Sequence, residues 1–316
     1  MTEPNHRRTH PTGATFTTWH APDGWPLRRM HWPQPAGKTP RGKLLFANGR
    51  GDFIEKYLES YAWWHEAGWD VTAFDWRNQG LSRREPLVRC TSFDPMVDDL
   101  AALIADWRGD RDSLHGPGPH VAIGHSMGGH LLLRTIADRR LALDAAVLVA
   151  PMLMVNSAPV PSWIAPQFTD LMCMTGWRDQ PIWRAPIKPA PAGSPRQHFL
   201  TSSVERYADE IWWWEREPLF KGRTPSWGWM RAAYRSAASA FTPGKLGAVE
   251  APILILAAEQ DRLVSATAIR RAAALLPQAK LKIYPDAAHE ILREADLVRL
   301  DALREIDAFF AEHAPS

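Results

Sequence analysis

Short apolar runs recur along the chain, separated by stretches whose apolar positions fall at helical spacing. Leu44–Ala47, Val71–Phe74, Val121–Ile123, Ala145–Val149, Ile253–Ala258 and Leu281–Tyr284 are too short for helices and lack polar alternation, so they read as strands covered on both faces. Between them the pattern predicts a helix beginning near Phe53, another over Pro95–Trp107 capped near Ser92, and a third just after Ser126. Strands alternating with helices imply a mostly parallel sheet with helices on both faces, an α/β architecture. Ahead of this series, Thr15–His20 and Leu27–Trp32 read as a hairpin turning at Pro22-Asp23-Gly24, followed by a proline-rich link from Pro33 to Pro40. The rhythm stops after Ala150 and resumes at Pro252. The expected organisation is therefore a core in two parts, 1–151 and 246–316, with an inserted helical, Trp-rich cap at 152–245. The cap is expected over the C-terminal edge of the sheet, where open α/β sheets bind ligands.

One short string within this series carries chemistry. The run Val121–Ile123 stops at Gly124, and His125, Ser126, Met127, Gly128 and Gly129 follow before a helical stretch. This is a G-x-S-x-G sequence in a strand–turn–helix context. Such a turn strains the serine backbone and admits only small residues two positions to either side. In return it lifts the hydroxyl off the sheet and sets the Met127 amide at a helix N-terminus, where it can donate to an oxyanion.

A nucleophilic serine needs a base, and the base needs a carboxylate to orient it. After the strand Ile253–Ala258 come Glu259 and Asp261, and after Leu281–Tyr284 comes a loop with His289. Serine, acid and histidine thus follow in the order expected of this geometry. Asp261 is the preferred acid because Leu263 and Val264 behind it can pack beneath the loop. Glu259 and Asp286 are the alternatives. A second oxyanion donor should come from the loop after Leu44–Ala47, where Asn48-Gly49-Arg50-Gly51-Asp52 makes the amide of Arg50 the candidate. Asn-Gly and Gly-Asp are also ordinary turn signals; it is their position after this strand that singles them out.

Taken in order, these segments resemble the α/β-hydrolase superfamily, and within it the group of monoacylglycerol lipases and bacterial lysophospholipases of the L2 type. NGRGDFIEKY resembles the oxyanion loop, with Asn48-Gly49 where many relatives have His-Gly. Asp75, Arg77, Gly80 and Ser82 match the D-x-R-x-x-G-x-S turn after the next strand. GHSMGG and AAHEILRE resemble the nucleophile and histidine segments, and Thr224–Ser236 resembles a cap helix of the lysophospholipase branch. The resemblance spans most of the chain from Lys43 onward. It implies an α/β-hydrolase fold with a helical cap and a serine hydrolase cleaving carboxylic esters of lipids through an acyl-enzyme on Ser126. It also suggests Asp52 as a ligand for a headgroup hydroxyl, although Asp52 could equally cap the helix that follows. Asp75 and Arg77 read as a turn-stabilising pair.

Composition narrows the field. With 316 residues there is ample length for a large core, and a net charge of +2 without a basic, aromatic-interleaved run argues against nucleic acid as a partner. Neither a signal-type apolar segment near the N-terminus nor a membrane-spanning run is present in the sequence, so the expected location is cytoplasmic, with the cap allowed transient contact with a membrane surface. Cys90 and Cys173 have no metal spacing, and neither a metal nor a cofactor is expected. His6 and His10 are expected in a mobile tail.

The cap alone speaks to substrate. It holds Trp163, Trp177, Trp183, Trp212, Trp213, Trp214, Trp227 and Trp229, eight of the chain's 16 tryptophans, which suggests an apolar pocket or a membrane-facing lid. Trp163, Trp213 and Trp227, with His125 beside the serine, are the candidate substrate contacts. The consecutive Trp212–Trp214 should point in separate directions and not all face one core. Three function classes follow. The first is hydrolysis of monoacylglycerol or lysophospholipid. The second is the same triad acting as a general carboxylesterase, a thioesterase or an acyltransferase. The third is a non-catalytic ligand-binding homologue, against which the intact Ser126, Asp261 and His289 argue.

Overall fold

A computed structural model describes residues 6–84, 89–109, 118–139, 141–183 and 190–315. Eight strands form one sheet: β1 (Thr15–His20), β2 (Pro26–Trp32), β3 (Gly42–Ala47), β4 (Trp69–Phe74), β5 (His120–His125), β6 (Ala145–Val149), β7 (Ile253–Ala258) and β8 (Ala279–Tyr284). Their order is β1-β2-β4-β3-β5-β6-β7-β8. The pairs β1–β2 and β2–β4 are antiparallel and all others are parallel. This is the mostly parallel sheet that the alternation predicts. Every apolar run lies in its strand, with β3, β4 and β8 each beginning two residues earlier than the apolar pattern alone marks.

The strands bury both faces because alternate residues serve two cores. Leu45, Ala47, Ala122, Ala146, Leu148 and Ile255 face one layer, containing α2 (Asp94–Gly109), α3 (Met127–Arg139) and α8 (Ala266–Leu275). Leu44, Phe46, Val121, Ile123, Val147 and Leu256 face the other, containing α1 (Leu58–Glu66) and α9 (Asp296–His313). The helix expected near Phe53 starts as a 3-10 turn, Ile54–Tyr57, before α1. Ser92 accepts from the Asp94 amide at the start of α2, as its cap position suggests.

Between β6 and β7 the described residues form four helices: α4 (Ala165–Met174), α5 (Pro195–Leu200), α6 (Val204–Arg216) and α7 (Trp227–Ala240). Ser194, Ser203 and Ser226 cap α5, α6 and α7 by accepting from Gln197, Arg206 and Trp229 amides. Polar contacts seat these helices on the sheet layers. Arg206 in α6 donates to Glu59 at 2.7 Å and Asp296 at 2.6 Å, and Ser236 in α7 bonds His130 at 2.6 Å and Arg134 at 3.0 Å. No helix among the described residues is long and apolar enough to cross a membrane.

Two expectations fail here for one reason. The N-terminal segment is not a free tail: Arg7 and Arg8 reach Asp209 of α6, and His10 bonds Glu55 at 2.9 Å. This docked segment covers α6 at Trp213 and Trp212, Trp214 is buried beside Arg196, and all three pack against the same core. All three indoles therefore share one cluster, because the core wraps around the helix.

The tightest backbone junction lies between β5 and α3. A side chain at Gly128 would overlap the carbonyls of Ala47 and Asn48, and one at Gly124 would sit 2.7 Å from the Gly128 carbonyl. Gly128→Ala should therefore destabilise the protein by about 1–3 kcal/mol, the range for forced overpacking. Thermal and urea melts measure it; a midpoint unchanged from wild type contradicts this packing.

Candidate active site

At the end of β5, Ser126 has φ +51°, left-handed backbone that an L-residue adopts only under constraint. The constraint is visible in its bonds. The Ser126 amide donates to Val149 at 2.9 Å, and its carbonyl accepts from His130 at 3.0 Å and Met152 at 2.9 Å. The side chain meets His289, whose Nε2 is 2.9 Å from Ser126 Oγ, and His289 Nδ1 is 2.6 Å from Asp261 Oδ2. Asp261 Oδ1 accepts from the amides of Leu263 at 2.8 Å and Val264 at 3.0 Å. Of the two residues expected to pack beneath the loop, Val264 is buried, whereas Leu263 is exposed and contributes only its amide. All three members are buried.

The charges suit proton transfer. Burial works against ionisation of Asp261, but the His289 charge and hydrogen bond, with two amides, hold its carboxyl below the usual value. Burial lowers the His289 value and Asp261 more than restores it, so the net shift is upward. His125, directly before Ser126 in sequence and beside the His289 ring, is pushed well below its usual value, by burial first and by His289 second, and is neutral. Glu259 is not part of this arrangement: it pairs with Arg270 at the surface.

The Met127 amide opens α3, where the first N–H groups have no intrahelical acceptor. Arg50 lines the same cavity as Met127 and lies in a loop anchored by fixed bonds. Asn48, fully buried, donates to the Phe74 carbonyl at 3.0 Å and accepts from Tyr61 at 3.2 Å, and its carbonyl accepts from Trp76 at 2.7 Å. An asparagine thus holds this loop through both ends of its amide.

Several candidate contacts are placed elsewhere. Asp52 is buried, accepting from the Gly49 amide at 2.9 Å, Tyr57 hydroxyl at 3.0 Å and Lys56 at 2.6 Å, so its oxygens are committed inside the loop and not to a headgroup or a helix cap. His125 is buried with its ring 5.0 Å from that of His289 and packed against Gly49. Trp163 is 73% exposed, Trp213 donates to the Arg7 carbonyl at 2.9 Å, and Trp227 packs edge-on against Phe168. None of these five lines the large cavity of about 580 Å³ that adjoins the site at Arg50, Gly51 and Met127. Its indoles are Trp25 and Trp229 instead. Trp227 and Trp229 both lie in the first turn after the Ser226 cap, and only the phase of α7 distinguishes which of them faces inward. Asp75 and Arg77 do not pair with each other either. Asp75 takes the Ile54 and Leu81 amides, at 2.9 and 3.0 Å, while Arg77 binds Asp99 and Asp23.

A buried ion cluster joins the loops behind the site. Lys56 Nζ is 2.6 Å from both Asp52 and Glu290 and 3.6 Å from Glu210 of α6, and Arg293 bonds Glu290. Burial would raise the Glu290 value, yet Lys56 and Arg293 hold it far below the usual range. Glu290 follows His289 directly, and its amide donates to Leu200 of α5 at 2.7 Å. The sequence contains each of these charges but not their meeting, since they come from three separate segments.

A mostly parallel sheet with a strained serine after its central strand, a histidine and an acid after the last two strands, and helices inserted after β6 defines an α/β-hydrolase. The chain belongs to the Hydrolase_4 family, described as serine aminopeptidase, S33, which matches residues 38–296. It is 25% identical over 291 residues to the probable lysophospholipase L2 of Haemophilus influenzae, covering 90% of this chain and 88% of that protein. It is 29% identical over 297 residues to lysophospholipase L2 of Escherichia coli K12, covering 85% and 80%. The fold is similar to that of a soluble variant of monoglyceride lipase from Saccharomyces cerevisiae, solved with a substrate analog, at TM-score 0.78 and 17% identity over 97% of this chain and 98% of that one.

The geometry separates the acids. Asp261→Asn should lower ester turnover about 10³–10⁴-fold while leaving residual activity, because the imidazole loses its fixed tautomer and its counter-charge. Glu259→Gln should change little. Steady-state kinetics on both variants decide it, and the reverse pattern would assign the acid to Glu259.

Proposed function

We propose that the protein is a carboxylic-ester hydrolase acting on lipid monoesters, monoacylglycerol or lysophospholipid, through an acyl-enzyme on Ser126. The observation that carries this reading is the hydrogen-bonded line Ser126 Oγ–His289 Nε2 and His289 Nδ1–Asp261. In the first half-reaction Ser126 Oγ attacks the ester carbonyl while His289 Nε2 takes its proton, and Asp261 stabilises the imidazolium. The carbonyl oxygen gains its negative charge facing the Arg50 and Met127 amides, each worth about 3 kcal/mol of transition-state stabilisation when a single donor of this kind is removed. The ester C–O bond then breaks and His289 returns the proton to the departing alcohol. In the second half-reaction His289 takes a proton from water, the hydroxide adds to the acyl carbon, and Ser126 leaves reprotonated.

Lipid monoesters are favoured over esters at large by the names of the relatives and by the cap. The triad and its oxyanion amides act on any acyl carbonyl, so selectivity must come from surfaces around them. Those surfaces include Trp229, Phe220 and Met96 of the adjoining cavity, and the exposed Trp163, Leu171, Met174 and Trp177 at the outer side of the inserted helices.

Each methylene buried in such a pocket adds about 0.8 kcal/mol, roughly a fourfold gain in specificity. The specificity constant on p-nitrophenyl esters should therefore climb with acyl length up to a medium or long limit and then level off. A flat or falling profile, with acetate preferred, overturns the lipid reading and leaves a general carboxylesterase.

A further inference from the structure

The cavity beside the oxyanion amides is cationic. Among the described residues it is lined by six arginines, Arg50, Arg77, Arg83, Arg89, Arg178 and Arg223, against one carboxylate, Asp179. Two of the six are neutralised: Arg77 by Asp99 and Asp23, and Arg89 by Asp179 at 3.0 Å. Arg50 and Arg178 have no carboxylate partner among the described residues, and they hold different depths of the cavity.

Arg50 is the inner one. Its guanidinium lies 4.7 Å from the centre of the Trp229 ring and donates to the Arg223 carbonyl, both uncharged partners. Partial burial pushes its value down to about 10. Arg50 is thus a half-buried cation whose neighbours are an indole ring and a carbonyl, with no carboxylate among the described residues, and an incoming anion would pair with it. Arg178 is the outer one. Its side chain lies across Gly228, where an added Cβ would meet Arg178 Cγ at 3.0 Å, which holds it over the first turn of α7.

The backbone adds to this field. The cavity wall includes Met127 at the N-terminus of α3, whose partial positive charge adds to the arginines. The first-turn amides of α7 are already taken, by the Gln180 and Arg178 carbonyls and the Ser226 hydroxyl, so the arginines supply most of the charge. The cavity therefore has two kinds of wall, an apolar one of Trp229, Phe220 and Met96 and a cationic one that an apolar chain alone does not use.

We propose that this cavity is an anion-binding subsite, in which Arg50 and Arg178 hold a phosphate or carboxylate borne by the ester, so that charged esters are preferred to neutral ones. The proposal rests on the esterase reading and deepens it. Arg50 links the two functions: its amide faces the oxyanion and its side chain faces the substrate's charge. An anion seated there fixes the carbonyl at the amides and thereby acts on turnover as well as on binding.

Two pairs of substrates separate the sources of charge: 1-butyrylglycerol against its 3-phosphate for the leaving alcohol, and p-nitrophenyl valerate against mono-p-nitrophenyl glutarate for the acyl arm. In at least one pair, kcat/KM should favour the charged ester by about tenfold or more, the worth of one charge-assisted hydrogen bond. Arg178→Gln and Arg50→Gln should shrink that ratio towards one, and Arg178→Lys should restore part of it. A wild-type ratio at or below one in both pairs, or a ratio untouched in both glutamine variants, overturns the subsite. Inorganic phosphate gives a readout independent of turnover and of the variants' activity. At constant ionic strength it should raise the wild-type melting temperature, and not that of Arg178→Gln. Turnover of neutral esters without charge preference or phosphate binding defeats the subsite alone. Phosphate binding without turnover of any ester defeats the esterase reading alone.

Discussion

Everything at the centre of this protein follows from the turn between β5 and α3. Ser126 is held at φ +51°, and a residue kept in that region costs about 1–3 kcal/mol that the surroundings must over-determine. Three contacts do so: the amide to Val149 and the carbonyl to His130 and Met152. The turn has room only because Gly124, Gly128 and Gly129 lack side chains, and Gly128 is pressed against the backbone of Ala47 and Asn48. The same closeness sets the 48–52 loop beside Ser126, so the strained turn and that loop are one packing problem solved once.

A second layer of constraint holds the histidine loop in register with that turn. Lys56 bridges Asp52 of the oxyanion loop and Glu290 beside His289, and Glu210 of α6 joins from the inserted helices. Such a buried cluster is weak evidence for stability, since desolvation offsets most of the attraction, but removing one member leaves an uncompensated charge at about 3–5 kcal/mol. Its consequence here is geometric. The two loops that carry the chemistry, and the helices above them, share counter-ions and cannot shift independently.

Much of this was legible in the sequence, and the division has a physical basis. The strands, the elbow and the loops of Asp261 and His289 are specified locally: apolar runs end at turns, and the chemistry lies within a few residues of each end. Asp261 could be preferred to Glu259 because Leu263 and Val264 follow it, and those residues supply its amide donors. The substrate-facing residues were not legible, because a cap residue's direction depends on helix phase and on what covers the helix. Trp213 turns away from the cavity because residues near position 7 dock against α6, some 200 positions distant in sequence. Asp52 has the right position for a ligand but its oxygens are taken by Gly49, Lys56 and Tyr57. The arginines of the cavity come from separate loops, so no local motif announces them.

Activation of Ser126 by His289, held by Asp261, can be read most directly from reaction with a fluorophosphonate, followed by intact mass and peptide mapping across pH. One adduct per chain is expected, located on Ser126. Its rate should rise with pH as His289 loses its proton, with a midpoint above the ordinary histidine value of about 6.5 because Asp261 raises it. An unlabelled Ser126, or labelling there that is independent of pH between about 5 and 9, contradicts the account.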